Sequence, residues 1–256
     1  MVDLHCHILP GVDDGAETLK DSLTMAKEAE KEGIKTIVAT PHHKNGLYNN
    51  ERKDIVAGIE ELNKELKEAR INVRILPGQE IRIHEKMVEH LDGGQLLTLG
   101  GSSSYLFIEL PPNHVPCYTE QLLFDIQMKG VIPIIVHPER NQEFIQHPDK
   151  LYRFVRNGAA TQITAASYAG YFGKKIQDFT GQMIEANLTH LMASDAHNVS
   201  SRGFHMARAY ECLQKRKGTD YVYYFQENAE LIVRGKHIDK EPPERIRPKK
   251  KFLGLF

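Results

Sequence analysis

The chain opens on Asp3-Leu4-His5-Cys6-His7 at the end of a very short apolar run. Successive side chains of an extended strand point to opposite faces, so His5 and His7 share one face and Cys6 takes the other. Two imidazoles side by side begin a metal site, although the same short pattern also describes two polar residues in a terminal loop. Later segments tip that balance. Histidine or carboxylate recurs where other apolar runs end: His42 in Thr40-Pro41-His42-His43, Glu80 in Gly78-Gln79-Glu80, Glu109 after Tyr105-Leu106-Phe107-Ile108, His137 in His137-Pro138-Glu139-Arg140, and Asp195 and His197 in Ser194-Asp195-Ala196-His197-Asn198. Asp14 lies in the turn-rich loop Pro10-Gly11-Val12-Asp13-Asp14-Gly15.

One polar residue at a strand end is ordinary, but the set is harder to dismiss. The histidines 5, 7, 42, 137 and 197 and the carboxylates 14, 80, 109 and 195, brought to one place, would form a dense cluster of charge unless cations neutralised it. Imidazole nitrogen and carboxylate oxygen without thiolate favour manganese, iron, zinc or cobalt over copper(I) or an iron–sulfur cluster, and argue against calcium. So many ligands exceed what one ion takes and suit three divalent ions. Three such ions against these carboxylates leave a formal charge of about plus two, or about plus one with a bridging hydroxide, and attract a phosphate dianion. The expected substrate is a phosphate ester.

The elements that must position these residues can be read from periodicity. Helical patterns cover about 19–32, 51–69, 83–91 and 118–129, a stretch ending at 157–158, one more before 188, and two near 205–214 and 228–234. Between them lie apolar runs at 34–39, 73–80, 105–109, 131–136, 160–165 and 188–193, which with the opening run make seven strands. Strands alternating with helices at short spacing argue a parallel α/β architecture, and seven units suit a distorted (β/α)7 barrel better than an open sheet. Such a barrel places its active site at the carboxyl ends of its strands, where His5, His7, His42, Glu80, Glu109, His137, Asp195 and His197 fall. An open doubly wound sheet would gather ligands at one crevice without using every strand.

At 256 residues the chain suffices for one large domain, and Lys plus Arg (33) nearly cancels Asp plus Glu (34), so no global field recommends nucleic acid as a partner. Cysteine is sparse (Cys6, Cys117, Cys212) without Cys-x-x-Cys spacing, which points to a reducing cytosol. No signal-peptide pattern or bilayer-length apolar run is present. The expectation is a soluble, cytoplasmic protein.

The motifs quoted above, taken together, resemble the polymerase and histidinol phosphatase (PHP) metal-dependent phosphoesterases along the whole chain. The order His5-Cys6-His7-Ile8, Asp13-Asp14-Gly15, Ala39-Thr40-Pro41-His42-His43 and Gly78-Gln79-Glu80-Ile81 is similar to the bacterial tyrosine-protein phosphatases of the capsule and exopolysaccharide type. The resemblance implies one ion held by His5, His7, Glu80 and Asp195, a second by Glu80, Glu109 and His137, and a third by Asp14, His42 and His197, manganese being the first choice. It further implies a metal-activated hydroxide attacking phosphorus in line, with Arg140 and Arg202 gripping the phosphate. His43 is expected either to support a ligand from behind or to lie at the rim. The implied substrate is phosphotyrosine on a bacterial tyrosine kinase tail and its targets, and the implied role is control of capsular or exopolysaccharide synthesis, with homo-oligomers known among such proteins. The cysteine route to tyrosine dephosphorylation needs an arginine six positions after its thiolate, and those positions hold Val12, Leu123 and Gly218. An amidohydrolase also opens with His-x-His but typically bridges its metals with a modified lysine, where this chain offers Glu80. A small-molecule phosphatase, such as one for histidinol phosphate, and a non-catalytic metal- or phosphotyrosine-binding module remain as alternatives.

The phosphatase unit is expected over 1–240, with a basic and apolar C-terminal extension over 241–256. Within it Arg247-Pro248-Lys249-Lys250-Lys251 followed by Phe252-Leu253-Gly254-Leu255-Phe256 suits peripheral contact with an anionic membrane, and equally a free end.

Overall fold

The computed structural model describes residues 1–101 and 103–246. Its strands are all parallel and form two sheets. The first pairs β1 (Val2–Cys6) with β2 (Thr36–Ala39), and β2 with β4 (Arg74–Pro77). The second runs in the order β3 (His42–His43), β5 (Glu80–Arg82), β6 (Tyr105–Glu109), β7 (Ile132–Val136), β8 (Ala160–Thr164) and β9 (Leu191–Ala193). The expected strand 73–80 is thus broken in two, and the run 34–39 is followed by a further short strand, β3. β2 and β3 are separated by Thr40-Pro41, whose proline has no N–H to give to a ladder, although its carbonyl still accepts from Glu80 N–H at 3.1 Å. β4 and β5 are separated by Gly78-Gln79, where a Cβ on Gly78 would lie 2.7 Å from Val38 Cγ1. At the other side, the Asp195 N–H donates to the His5 carbonyl (2.8 Å) and the His7 N–H to the Ala196 carbonyl (2.9 Å), tying β1 to the segment that leaves β9.

Helices connect successive strands. α1 (Leu19–Lys31) starts from a reciprocal cap between Thr18 and Asp21, and α2 (Arg52–Glu68) buries Ile55, Ile59, Leu62 and Leu66, one stripe at helical spacing. α3 (Met87–Asp92) and α4 (Thr119–Met128) follow. The helix expected before residue 157 is two, α5 (Gln142–Gln146) and α6 (Pro148–Arg156), because a proline disfavours helical backbone at the residue before it. The expected strand 160–165 yields its last residue to α7 (Ala165–Ala169), and α8 (Lys174–Glu185) and α9 (Met206–Lys217) come next. α10 (Thr219–Val233) begins well before the expected 228. Its run Tyr221-Val222-Tyr223-Tyr224-Phe225 favours strand by propensity, but packing wins: Phe225, Asn228, Ala229 and Ile232 form one buried helical face.

The core has two parts. The larger lies between strands and helices and includes Cys6, Ile37, Ile75, Leu106, Ile108 and Ile135. The smaller gathers Leu4, Val38, Phe107, Ile134, Val136 and Leu191 with Ala229 and Ile232 from α10. Strict alternation would put Leu4 and Cys6 on one side, but the β1 register slips between Asp3 and Cys6 and separates them. Of the expected extension, residues 241–246 lie along the surface: Glu244 N–H donates to the Ala186 carbonyl (2.8 Å), and Arg245 pairs with Asp149 (2.7 Å). The basic and apolar residues 247–256 lie outside the described residues. Among the described residues no helix is long and apolar enough to cross a membrane.

Ile232 is fully buried where α10 meets the smaller core cluster. Ile232→Ala should cost about 2–5 kcal/mol of unfolding free energy, read as a lower urea midpoint with an unchanged slope. A loss below about 0.5 kcal/mol, the range of surface substitutions, would contradict this packing.

Candidate metal centre

Each strand end delivers its polar residue to one place. His5 lies in β1 and His7 just beyond it, His42 in β3, Glu80 in β5, Glu109 at the end of β6, His137 after β7, and Asp195 and His197 after β9. The loop carrying Asp13 and Asp14 folds back onto His7, with Ala16 N–H donating to the His7 carbonyl at 3.1 Å. That approach requires glycine at position 15, since a Cβ there would sit 2.0 Å from the His7 carbonyl oxygen. His137 and Asp195 both adopt left-handed backbone (φ 35° and 54°), a conformation costly for side-chain-bearing residues and recurrent at functional sites.

The tightest group is His5, His7, Glu80 and Asp195, all buried. His5 Nε2 lies 3.3 Å from His7 Nε2, and each of these nitrogens lies 3.3–3.4 Å from Glu80 Oε2 and from Asp195 Oδ1. The other ring nitrogens are committed as donors. His5 Nδ1 faces Gln162 Oε1 (2.8 Å), the acceptor end of an amide whose Nε2 donates to the Ile163 carbonyl, and His7 Nδ1 faces the Asp13 carboxylate (2.7 Å). In the neutral imidazoles, both Nε2 atoms therefore turn lone pairs toward each other and toward two carboxylate oxygens. Five of the six edges of this group measure 3.3–3.4 Å, and a regular tetrahedron of that edge has its centre about 2.0–2.1 Å from each corner, the bond length of a divalent ion to imidazole or carboxylate. This donor set fits a metal ion.

Two further groups adjoin it. His7, Asp14, His42 and His197 form one, with Asp14 Oδ1 3.4 Å from both His42 Nε2 and His197 Nε2. His197 Nδ1 donates to the Asp195 carbonyl (2.9 Å), so its Nε2 is again the free acceptor and has no hydrogen-bond partner. The other joins His42, Glu80 and Glu109, where Glu80 Oε2 and Glu109 Oε2 are buried without hydrogen-bond partners. The grouping differs from the one implied by resemblance: His7 also joins Asp14, His42 and His197, and His42 takes the place beside Glu80 and Glu109 expected for His137. His42 Nδ1 stands 2.9 Å from Glu80 Oε2, between the second and third groups, while His137 Nε2 bonds Glu80 Oε1 at 2.7 Å and lies outside these sets.

Arg140 and Arg202 sit on the cluster. Arg140 Nη2 donates to Asp195 Oδ2 (2.7 Å), and Arg202 Nη1 to Asp14 Oδ2 (3.0 Å). Both line a cavity of about 320 Å³ together with Glu80, Glu109, His137 and a third arginine, Arg82. Arg82 Nη2 donates to Glu109 Oε1 (2.8 Å) and was not singled out from sequence, nor were Asp13 and Gln162. The period-two rule carries a signal for Arg82, which lies two residues beyond Glu80 in β5 and so on the same face. His43, expected behind the ligands or at the rim, is buried and lines a separate cavity. Cys6 packs in the core, where burial pushes its thiol well above the ordinary range.

The electrostatics describe a site waiting for positive charge. Burial opposes protonation of His42, yet the Glu80 and Asp14 carboxylates outweigh it and raise its pKa to about 10. His7 is raised in the same way against burial, chiefly by Asp13. Burial and the neighbouring Glu80 charge raise Glu109 to about 7 despite Arg82. Burial and Arg140 lower His137 to about 4.

The profile for capsular polysaccharide synthesis, CpsB/CapC, matches residues 1–234. The chain is 48% identical over 256 residues to the tyrosine-protein phosphatase YwqE of Bacillus subtilis (strain 168), covering all of both chains. It is 37% identical over 258 aligned positions to CapC of Staphylococcus aureus, again covering all of both. Crystal structures of YwqE and of Streptococcus pneumoniae CpsB, described as unique metal-dependent tyrosine phosphatases, include a chain that superposes with a TM-score of 0.94 at 48% identity, over 97% of this chain and 100% of that one.

Protons and cations compete for the same atoms here. With His7 and His42 raised and Glu109 near 7, the metal-free cluster holds protons at neutral pH that a cation must displace. Calorimetric titration with Mn²⁺ at pH 7 in two buffers of different ionisation enthalpy should show release of about one proton or more per chain, with affinity rising as pH rises. Identical heats in both buffers would contradict that competition.

Proposed function

The chain belongs to the CpsB/CapC family of capsular polysaccharide synthesis, and on that premise we propose that it is a metal-dependent protein-tyrosine phosphatase. The observation that carries this reading is the meeting, in one cavity, of a buried His and carboxylate cluster with three arginines. An anionic ester fits the arginines, and metals fit the cluster.

His5, His7, Glu80 and Asp195 would hold one ion, with Glu109, His137, Asp14, His42 and His197 holding two more around Glu80 and His42. Manganese is the first choice for this nitrogen and oxygen donor set, with iron, cobalt or zinc as alternatives. When bound, such ions acidify water and offset the charge of a phosphate ester. The protein's own groups do the rest. Gln162 and Asp13 fix the tautomers of His5 and His7, so that their Nε2 atoms face inward. The hydrogen bonds of Arg140 to Asp195 and of Arg202 to Asp14 each use one terminal nitrogen, leaving further N–H donors for phosphoryl oxygens. Leu110, Pro112, Ile135 and Phe144 give the same cavity an apolar wall suited to an aryl ring. Tyrosine leaves with a pKa of about 10, so its departure makes a modest demand on any proton donor.

This reading implies a distorted (β/α)7 barrel of the PHP type. It is supported by the strand order, by β2 with β3 and β4 with β5 each continuing one strand, and by the bonds from β1 to the segment after β9. The substrate is the phosphorylated tail of a bacterial tyrosine kinase and that kinase's targets, in the cytoplasm. On the same reading the C-terminal extension, 241–256, serves peripheral membrane contact, and copies of the chain associate into oligomers.

Turnover of a phosphotyrosine peptide should appear with Mn²⁺ and vanish on exhaustive chelation. Arg140→Ala and Arg202→Ala should each lower kcat/KM by about 10²-fold or more with metal content retained. Activity that survives chelation would sink the metal mechanism, and unchanged rates in both variants would remove the arginines from it.

A further inference from the structure

The border of the metal-centre cavity carries apolar side chains that the chemistry above does not use. Tyr48, in the loop from β3 to α2, faces His42, the rings nearly parallel with centroids 6.2 Å apart. Phe172, in the connection from α7 to α8, lies against Arg140, whose Cζ is 5.7 Å from the ring centroid. His42 and Arg140 both line the one cavity, so two aromatic rings from different loops stand beside it. Val199, in the segment from β9 to α9, shares a neighbouring cavity with Asp14 and His197.

The same three loops bear the large apolar side chains that loops expose among the described residues: Leu47 is 85% exposed, Tyr171 59% and Val199 47%. One exposed leucine is ordinary, whereas apolar side chains gathered around a functional cavity mark an interaction surface. Two of the loops are held in place by bonds of their own. Asn45 Oδ1 accepts from the Leu47 N–H (3.0 Å) and the Tyr48 N–H (2.8 Å), and Asn50 Nδ2 donates to the His42 carbonyl (2.8 Å). Tyr171 stacks on His205 with centroids 3.9 Å apart. Side chains fixed in this way lose little further freedom when a partner covers them, so their burial adds directly to affinity.

We propose that Leu47, Tyr48, Tyr171, Phe172 and Val199 form a recognition rim for apolar side chains that flank the phosphotyrosine of a polypeptide substrate. The proposal rests on the phosphatase reading above. With the aryl ring against the apolar wall of the cavity, the peptide on either side of it must cross this border, where apolar neighbours bury surface and polar ones do not.

The test compares two phosphotyrosine peptides of equal length and charge on the full-length protein with Mn²⁺. One has leucine on both sides of the phosphotyrosine, and the other has serine there. The leucine-flanked peptide should show a kcat/KM about tenfold higher. Leu47→Ser combined with Tyr171→Ser, two exposed positions, should bring that ratio to about one, and Leu47→Met combined with Tyr171→Phe should keep it. Equal turnover of the two peptides by the wild-type protein, or a preference that persists in the serine variant, overturns the proposal. Failure of the wild-type protein to hydrolyse either peptide would instead overturn the phosphatase reading. In that event, or where a variant loses turnover altogether, anisotropy of labelled non-hydrolysable phosphonate versions decides: tighter binding of the leucine-flanked peptide by the wild-type protein but not by the serine variant supports the rim, and the same preference in both, or none in either, overturns it.

Discussion

Two imidazole nitrogens 3.3 Å apart, each with its other nitrogen already committed as a donor, govern this structure. Neutral, they oppose lone pairs, and fully protonated they oppose charges. Two carboxylate oxygens complete the group at the same spacing, inside a protein where unpaired charge is costly. A divalent cation relieves every one of these repulsions at once. Protons can do so only partly, which is why the carboxylates drive His7 and His42 upward against burial.

Much of the architecture serves to hold that arrangement. The donors come from different strands, so no single segment forms the site. Pro41 and Gly78-Gln79 interrupt two strands just before His42 and Glu80, re-aiming the residues that follow. Left-handed backbone at His137 and Asp195 costs on the order of 1–3 kcal/mol each, tolerated where neighbouring bonds fix the conformation. Asp3 shows how deep this support goes. Fully buried, it accepts from both the Ser194 N–H (2.9 Å) and the Ser194 hydroxyl (2.5 Å), fastening the turn that presents Asp195 to the strand that presents His5.

What the sequence made legible follows from periodicity. Alternation put His5 and His7 on one face, and the link between strand ends and polar residues placed Glu80, Glu109 and Asp195 at one mouth. The residues that orient the ligands were hidden, since Gln162 lies 157 positions from the His5 it holds and Arg82 lies 27 from Glu109. Asp13 stood in plain view, six positions from His7, but nothing local distinguishes a carboxylate that steers an imidazole from its neighbour Asp14. α10 was cut short for the opposite reason: its aromatic run carries a strand propensity that only burial against the core overrides.

The central claim is that the Nε2 and carboxylate cluster is built around a cation, and anomalous diffraction tests it most directly. Crystals grown with Mn²⁺ and measured at the manganese edge should show a peak enclosed by His5 Nε2, His7 Nε2, Glu80 Oε2 and Asp195 Oδ1. A well-ordered cluster with no anomalous density at that point would contradict the account.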